Sequence, residues 1–228
     1  RIAADSSIGA KYLVSFLLPE PFGASHDGQV WWGSTLNWVE TQSYAGLAVI
    51  LLALVSLVTR SRGVGASTAG AERAAIVRTW WVIVVAVAWI AYVGGPLTKV
   101  LQSLPFLGHS TVGRARVVAN LGLAVLAGLG VQAWADARAG SADVDVRRGL
   151  TRAAGWVSIG VIATTPFWWS WLSEARSKGF VTEVAADALI PVATGCLVVA
   201  ALWWWRPATR GRGSAPLFAL LGVLVAPE

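Results

Sequence analysis

The sequence predicts an all-α fold, a bundle of about five transmembrane helices with short interfacial helices. Of its 228 residues, 56% are hydrophobic and 13% are charged, whereas soluble domains carry about 25% charged residues. Its uncharged apolar stretches are long enough to cross a bilayer, which takes about 20 residues of helix. The 14 Trp residues cluster near the ends of those stretches, where indole rings favour the headgroup boundary.

The N-terminal part, residues 1–40, is predicted to be an outward loop with an interfacial helix. Ser6–Leu18 becomes apolar from Tyr12 onward and is stopped by Pro19 and Pro21, because proline interrupts a helix. This stretch is too short to span a bilayer at ~1.5 Å per residue. It is therefore an interfacial helix or the end of a helix that begins upstream.

The remainder, residues 41–228, is predicted to hold the transmembrane helices of a single membrane domain, residues 1–228. The polar start, the absence of Met and the apolar end lead us to expect a fragment of a longer chain. The five full spans are Thr41–Thr59, Thr79–Gly95, Val117–Ala135, Ala153–Ser173 and Ala188–Trp205, and Ala215–Ala226 begins a truncated sixth.

Glycine and proline indicate where the second span ends and how the chain continues. Gly94, Gly95 and Pro96 mark the end of span two, because such residues end helices. In the loop beyond, apolar residues at helical spacing predict a short amphipathic helix along the membrane surface. Its apolar positions are Leu97, Val100, Leu101 and Leu104.

The charges of the loops predict the orientation. Loops after spans one, three and five carry eleven basic and four acidic residues, whereas the opposite side carries seven basic and eight acidic residues. Because cytoplasmic loops are rich in Lys and Arg, residues 1–40, 96–116 and 174–187 are expected to face outward. Arg73 and Arg78 are placed in the first cytoplasmic loop.

Composition argues against several classes of protein. The net charge of +6 does not indicate nucleic acid, because the basic residues flank the spans and form no continuous stripe. The single cysteine, Cys196, excludes an intrachain disulfide, and the distant His26 and His109 give no support to a metal site. No cofactor is expected. No predicted span contains a charge, which argues against an ion-coupled transporter.

Two arginines before span three are the leading candidates for binding substrate. Arg114 and Arg116 stand two residues apart where a helix begins. Guanidinium groups bind phosphate, and the free N–H groups of a helix N-terminus add to that binding. The alternative is that both side chains extend to anionic lipid headgroups. Glu40, at the outer end of span one, is either a base or sugar ligand or an acid favoured by the helix dipole.

Small and polar residues inside span three indicate contacts between helices. Ala124 and Gly128 are four positions apart, which is typical of closely packed helices. Asn120 and Gln132 are expected to bond to neighbouring helices rather than to substrate.

Two passages carry a resemblance to a known family. The first joins Leu18–Gly23, LPEPFG, to Glu40–Leu47, ETQSYAGL; the second joins Leu104–Phe106, LPF, to Gly113–Arg116, GRAR, before the Leu/Ala/Gly-rich span three. Together these passages resemble the YfhO family of bacterial polytopic membrane proteins. The resemblance covers about residues 12–135.

That resemblance implies a glycosyltransferase of GT-C type in the bacterial inner membrane. Such enzymes transfer a sugar from a polyprenyl-phosphate donor to a cell-envelope acceptor, and their catalytic acid lies in an outward loop that this fragment is expected to lack. The resemblance implies that Arg114 and Arg116 bind the phosphate of the donor. It also implies that Glu40 and Tyr44 position a loop or contact the acceptor. The alternatives are a transporter or flippase of lipid-linked glycans and a non-catalytic membrane scaffold. The partners expected are membrane lipid and the lipid-linked donor, and the oligomeric state stays open.

Overall fold

A computed structural model describes residues 7–23, 43–58, 68–103, 112–139 and 168–204. Within those ranges every regular element is helical, so the predicted all-α class is confirmed there. Three helices are long and apolar enough to cross a membrane: Gly70–Val93, Arg116–Ala135 and Val181–Ala200. The count of about five full spans stays a prediction.

Six α-helices are numbered along the described part of the chain. They are α1 Leu47–Val58, α2 Thr68–Ala88, α3 Pro96–Ser103, α4 Arg116–Ala139, α5 at residues 168–178 and α6 Val181–Trp204. Three short helical segments of other types accompany them. They are the 3₁₀ helix Ala10–Phe16, the π-helical turn Trp89–Val93 and the 3₁₀ turn Val112–Ala115.

The helix in predicted span one is shorter than expected. α1 has 12 residues, about 18 Å of helix, against ~30 Å of hydrocarbon. Ser43–Gly46 precede it without helical structure. Gly46 has a φ of +85°, a conformation that glycine adopts without steric cost, and it turns the chain into α1.

The helix of predicted span two begins much earlier than expected. α2 starts at Thr68 and includes Arg73 and Arg78, so their placement in a loop is wrong. The segment is rich in Ala, the best helix former, and Arg73 Nη2 donates to the Leu129 carbonyl at 3.2 Å. The predicted end is confirmed, since the helical turns stop at Val93 and Gly94 follows with φ +77°.

The later spans agree with prediction at their centres more than at their ends. α4 begins one residue before predicted span three. α6 begins at Val181 and includes Glu183, seven residues before predicted span five. Candidate membrane helices therefore contain charged residues, and the prediction of charge-free spans is wrong for α2 and α6. Most of predicted span four and the sixth run lie outside the described residues.

The chain divides into two compact units. Unit 1 comprises residues 1–45, 81–122 and 165–189; unit 2 comprises residues 46–80, 123–164 and 190–228. The candidate site residues that the structure describes, Tyr44, Arg114 and Arg116, lie in unit 1.

Unit 2 has a core formed by three helices. Its buried members are Ala48, Leu52 and Val55 of α1, Ala127, Val131 and Trp134 of α4, and Val198 of α6. Gly130 permits close contact, because a Cβ there would lie 2.0 Å from the Leu52 carbonyl oxygen. The predicted close-packing pair is wrong in position: Ala124 and Gly128 are exposed, and no described residue approaches a Cβ at Gly128 within 4 Å.

Candidate functional site

The N-terminal segment, residues 7–23, is a folded part of unit 1. Its apolar side chains are buried, including Tyr12, Phe16 and Phe22. The Ile8 N–H donates to the Ala91 carbonyl at 2.8 Å, and the Ala45 N–H donates to the Phe16 carbonyl at 3.1 Å. These bonds hold the segment against the end of the candidate span Gly70–Val93 and against the residues that precede α1.

A second set of contacts joins this segment to α5. Trp171 Nε1 donates to the Pro21 carbonyl at 2.8 Å in a buried position. Lys11 Nζ lies 3.3 Å from a Glu174 carboxylate oxygen and 5.5 Å from the centroid of the Phe22 ring. Lys178, one turn further along α5, lies 3.1 Å from the same carboxylate.

The Glu174 carboxylate therefore has two cationic partners. Partial burial raises the pKa of this carboxyl, but the hydrogen bonds and charges of Lys178 and Lys11 together outweigh burial and lower the pKa below its ordinary value. Glu174 is thus ionised at neutral pH, and its role here is to attach the N-terminal segment to α5.

A buried polar cluster lies where the 3₁₀ helix meets the π-helical turn. The Tyr92 hydroxyl donates to Ser43 Oγ, and the Ser15 hydroxyl, which donates to the Tyr12 carbonyl at 2.7 Å, lies close enough to interact with Tyr92. All three residues are buried, and the Phe16 and Tyr92 ring centroids are 5.4 Å apart. Because buried polar groups are costly unless paired, this cluster fixes Ser43 and its neighbour Tyr44.

Arg116 is the charged residue next to this cluster. It is half-buried as the first residue of α4, and it acts electrostatically on the Tyr92 hydroxyl. Arg114 is exposed in the preceding 3₁₀ turn. One guanidinium is therefore held against the protein and the other is presented to the surroundings, at the N-terminus of a helix long enough to cross a membrane.

Asn120 lies one turn beyond Arg116 on α4, between the buried residues Ala119 and Leu123. Its Oδ1 is buried and makes no hydrogen bond, so the expected bond to a neighbouring helix is absent at that atom. Residues four apart share a helix face, so Asn120 and Arg116 are on the same side of α4. Arg116 and Asn120 therefore form a polar side at the start of α4.

The structure places three of the four predicted site residues. Arg114, Arg116 and Tyr44 belong to unit 1, and the Tyr44 side chain is 41% exposed beside the buried Ser43. Glu40 lies outside the described residues. The cluster of Ser15, Ser43 and Tyr92 is not predictable from the sequence, because single hydroxyls in apolar stretches carry no spacing signal.

Two further features are less suited to chemistry. No group of three or more His, Cys, Asp or Glu residues in the described ranges is arranged to hold a metal ion. In unit 2 an open groove of about 440 Å³ is lined by apolar side chains of α1 and α6 together with Cys196. It offers no polar group to orient a ligand.

Comparisons with known protein families, with characterised proteins and with solved structures found no match to this chain. A function must therefore be argued from its own residues, above all from the two arginines where α4 begins.

Proposed function

We propose that the chain is part of a membrane glycosyltransferase that uses a polyprenyl-phosphate sugar as donor. Arg114 and Arg116 bind the donor phosphate, and Tyr44 contacts the acceptor or positions the loop that precedes α1. Glu40 is assigned the same role as Tyr44. The bundle of about five spans, the outward-facing site and the bacterial inner membrane belong to this proposal.

One observation carries the proposal: a pair of guanidinium groups stands at the first turn of a candidate membrane helix. Arg114 is exposed and Arg116 is half-buried, and α4 runs from there as an apolar span of 20 residues. The end of such a helix lies at the depth of lipid phosphates. A phosphate at this position meets Arg114, Arg116 and the free N–H groups of α4 together.

The test is substitution of both arginines in the full-length protein. We expect Arg114→Gln with Arg116→Gln to reduce sugar transfer from a polyprenyl-phosphate donor at least tenfold, because a charge-assisted hydrogen bond contributes about 1.5–3 kcal/mol. Turnover of radiolabelled donor in proteoliposomes is the measurement. Arg176→Gln is the matched control, since Arg176 is an exposed arginine of unit 1 on another helix. Unchanged transfer by the double variant contradicts the phosphate site.

One observation favours the alternative of a transporter or flippase for lipid-linked glycans. Arg73 is half-buried within the candidate span Gly70–Val93 and bonds to a carbonyl of α4. Charged residues inside spans often mark pathways for substrates or ions. The same proteoliposomes discriminate the two functions, because a flippase moves a fluorescent polyprenyl-phosphate sugar between leaflets without consuming it.

A further inference from the structure

The amphipathic helix α3 presents three different sides to its surroundings. Thr98 is buried, and its Oγ1 donates to the Ile90 carbonyl at 3.4 Å. Leu97 and Val100 are exposed by 50% and 59%. Lys99 and Ser103 are also exposed. At ~100° per residue, Leu97 and Val100 are ~60° apart, Lys99 lies ~160° from Leu97, and Ser103 lies between Lys99 and Val100.

The helix before α3 also ends in exposed apolar side chains. Trp89 and Val93 are exposed by 56% and 42% and occur four residues apart in the π-helical turn that ends the candidate span. Leu97 follows four residues later. Exposed apolar side chains therefore lie both at the end of a membrane-length helix and on α3 directly after it, and both sets need a covering.

The position of α3 along the chain determines what that covering is. The candidate span Gly70–Val93 has 24 residues, about 36 Å of helix, which exceeds ~30 Å of hydrocarbon. The turn at Gly94 and Gly95, with φ of +77° and +95°, therefore occurs at the headgroup boundary. The Thr98–Ile90 bond holds α3 at the end of that span.

We propose that α3 is an interfacial helix whose partner is the phospholipid boundary itself. Leu97 and Val100 enter the acyl-chain edge, the side of Thr98 rests on unit 1, and Lys99 extends to lipid phosphates. Such helices bury their apolar side ~5–10 Å below the headgroups. This arrangement fixes the depth of the candidate span Gly70–Val93 in the bilayer. The proposal does not depend on the proposed function.

Site-directed spin labelling tests the proposal in phosphatidylcholine–phosphatidylglycerol nanodiscs. Because Cys196 is the single cysteine and is exposed, Cys196→Ser gives a background for one-cysteine variants. Leu97→Cys and Val100→Cys carry the probes. Val82→Cys is the lipid control, 67% exposed within the candidate span, and Ser103→Cys is the headgroup-side control.

We expect oxygen, which partitions into lipid, to relax the labels at 97 and 100 more strongly than a water-soluble nickel chelate does. The label at position 82 should show the same preference for oxygen. The label at 103 should show the reverse preference. Two outcomes overturn the proposal. Stronger relaxation by nickel at both 97 and 100 would place that side in water, and protection from both reagents would show that protein covers it.

Discussion

A single buried indole joins two distant parts of the chain in unit 1. Trp171 is 6% exposed, and its Nε1 donates to the Pro21 carbonyl. Pro21 belongs to a segment with no long helix of its own, so side-chain bonds of this kind hold the segment in place. Leaving a buried carbonyl without its donor costs about 1–3 kcal/mol.

We predict that Trp171→Phe lowers the free energy of unfolding by about 1–3 kcal/mol, because the aromatic contact is largely kept and the donor to Pro21 is lost. Thermal unfolding in detergent, followed by tryptophan fluorescence, measures the change. Trp169→Phe is the control, since Trp169 is 72% exposed on the same helix. Equal effects of the two substitutions would contradict a structural role for the Trp171 bond.

The ion pair between Lys11 and Glu174, which is on the same helix as Trp171, predicts that the stability of the fold depends on pH. Because the pKa of Glu174 is lower in the folded protein than in the unfolded chain, its interactions stabilise the fold at neutral pH. That stabilisation is lost as pH falls through the lowered pKa. We expect the gap in unfolding temperature between the wild type and Glu174→Gln to be present at pH 7 and to close in acid.

The size of this gap is limited by solvent. The Lys11 and Glu174 side chains keep 38% and 30% exposure, and exposed ion pairs contribute roughly 0–1 kcal/mol. Glu183→Gln, an exposed glutamate at the start of α6, is the control. A gap that stays constant between pH 7 and pH 3 would be the contrary result.

At the scale of elements, a glycine determines how closely α1 and α4 approach in unit 2. The space at Gly130 admits no Cβ beside the Leu52 carbonyl. Membrane helices use small residues in this way because close backbone approach increases van der Waals contact. Gly128, half a turn away, faces outward.

We predict opposite effects for the same substitution at these two positions. Gly130→Ala should destabilise the protein by about 1–3 kcal/mol, since the helices must separate. Gly128→Ala should stabilise it by up to about 1 kcal/mol, because alanine favours helix. Unfolding in sodium dodecyl sulfate measures both variants. If Gly128→Ala destabilised the protein as much as Gly130→Ala, the close contact between α1 and α4 would not be specific to Gly130.

Hydrophobic periodicity and helix-breaking residues predicted which helices exist better than they predicted the residues at which the helices begin. The end of the α2 span at Gly94 and the short helix α3 follow from local glycine and proline chemistry, and both are found. α2 and α6 begin earlier than predicted, because charged residues that resemble loop signals in the sequence lie inside these helices. Glu72, Arg73 and Glu183 are helix formers, and long side chains at helix ends reach polar surroundings.

At the scale of the whole molecule, the sequence predicted the all-α class, whereas the site stays a prediction. Low charge and long apolar stretches indicated membrane helices, and the described residues include three helices long and apolar enough to cross a membrane. Arg114 and Arg116 were predicted as a candidate pair because two like charges stand directly before an apolar run. The Ser15, Ser43 and Tyr92 cluster was not, because it joins three segments that only the tertiary structure brings together.

The bond between Pro21 and Trp171 also has a consequence for the order of assembly during synthesis. Its partners are 150 positions apart. A ribosome adding about 5–20 residues per second takes about 8–30 s to reach the second partner. Throughout that interval the early segment must stay with the nascent chain while later helices are inserted. Unit 1 can close only after the translation machinery has passed α5.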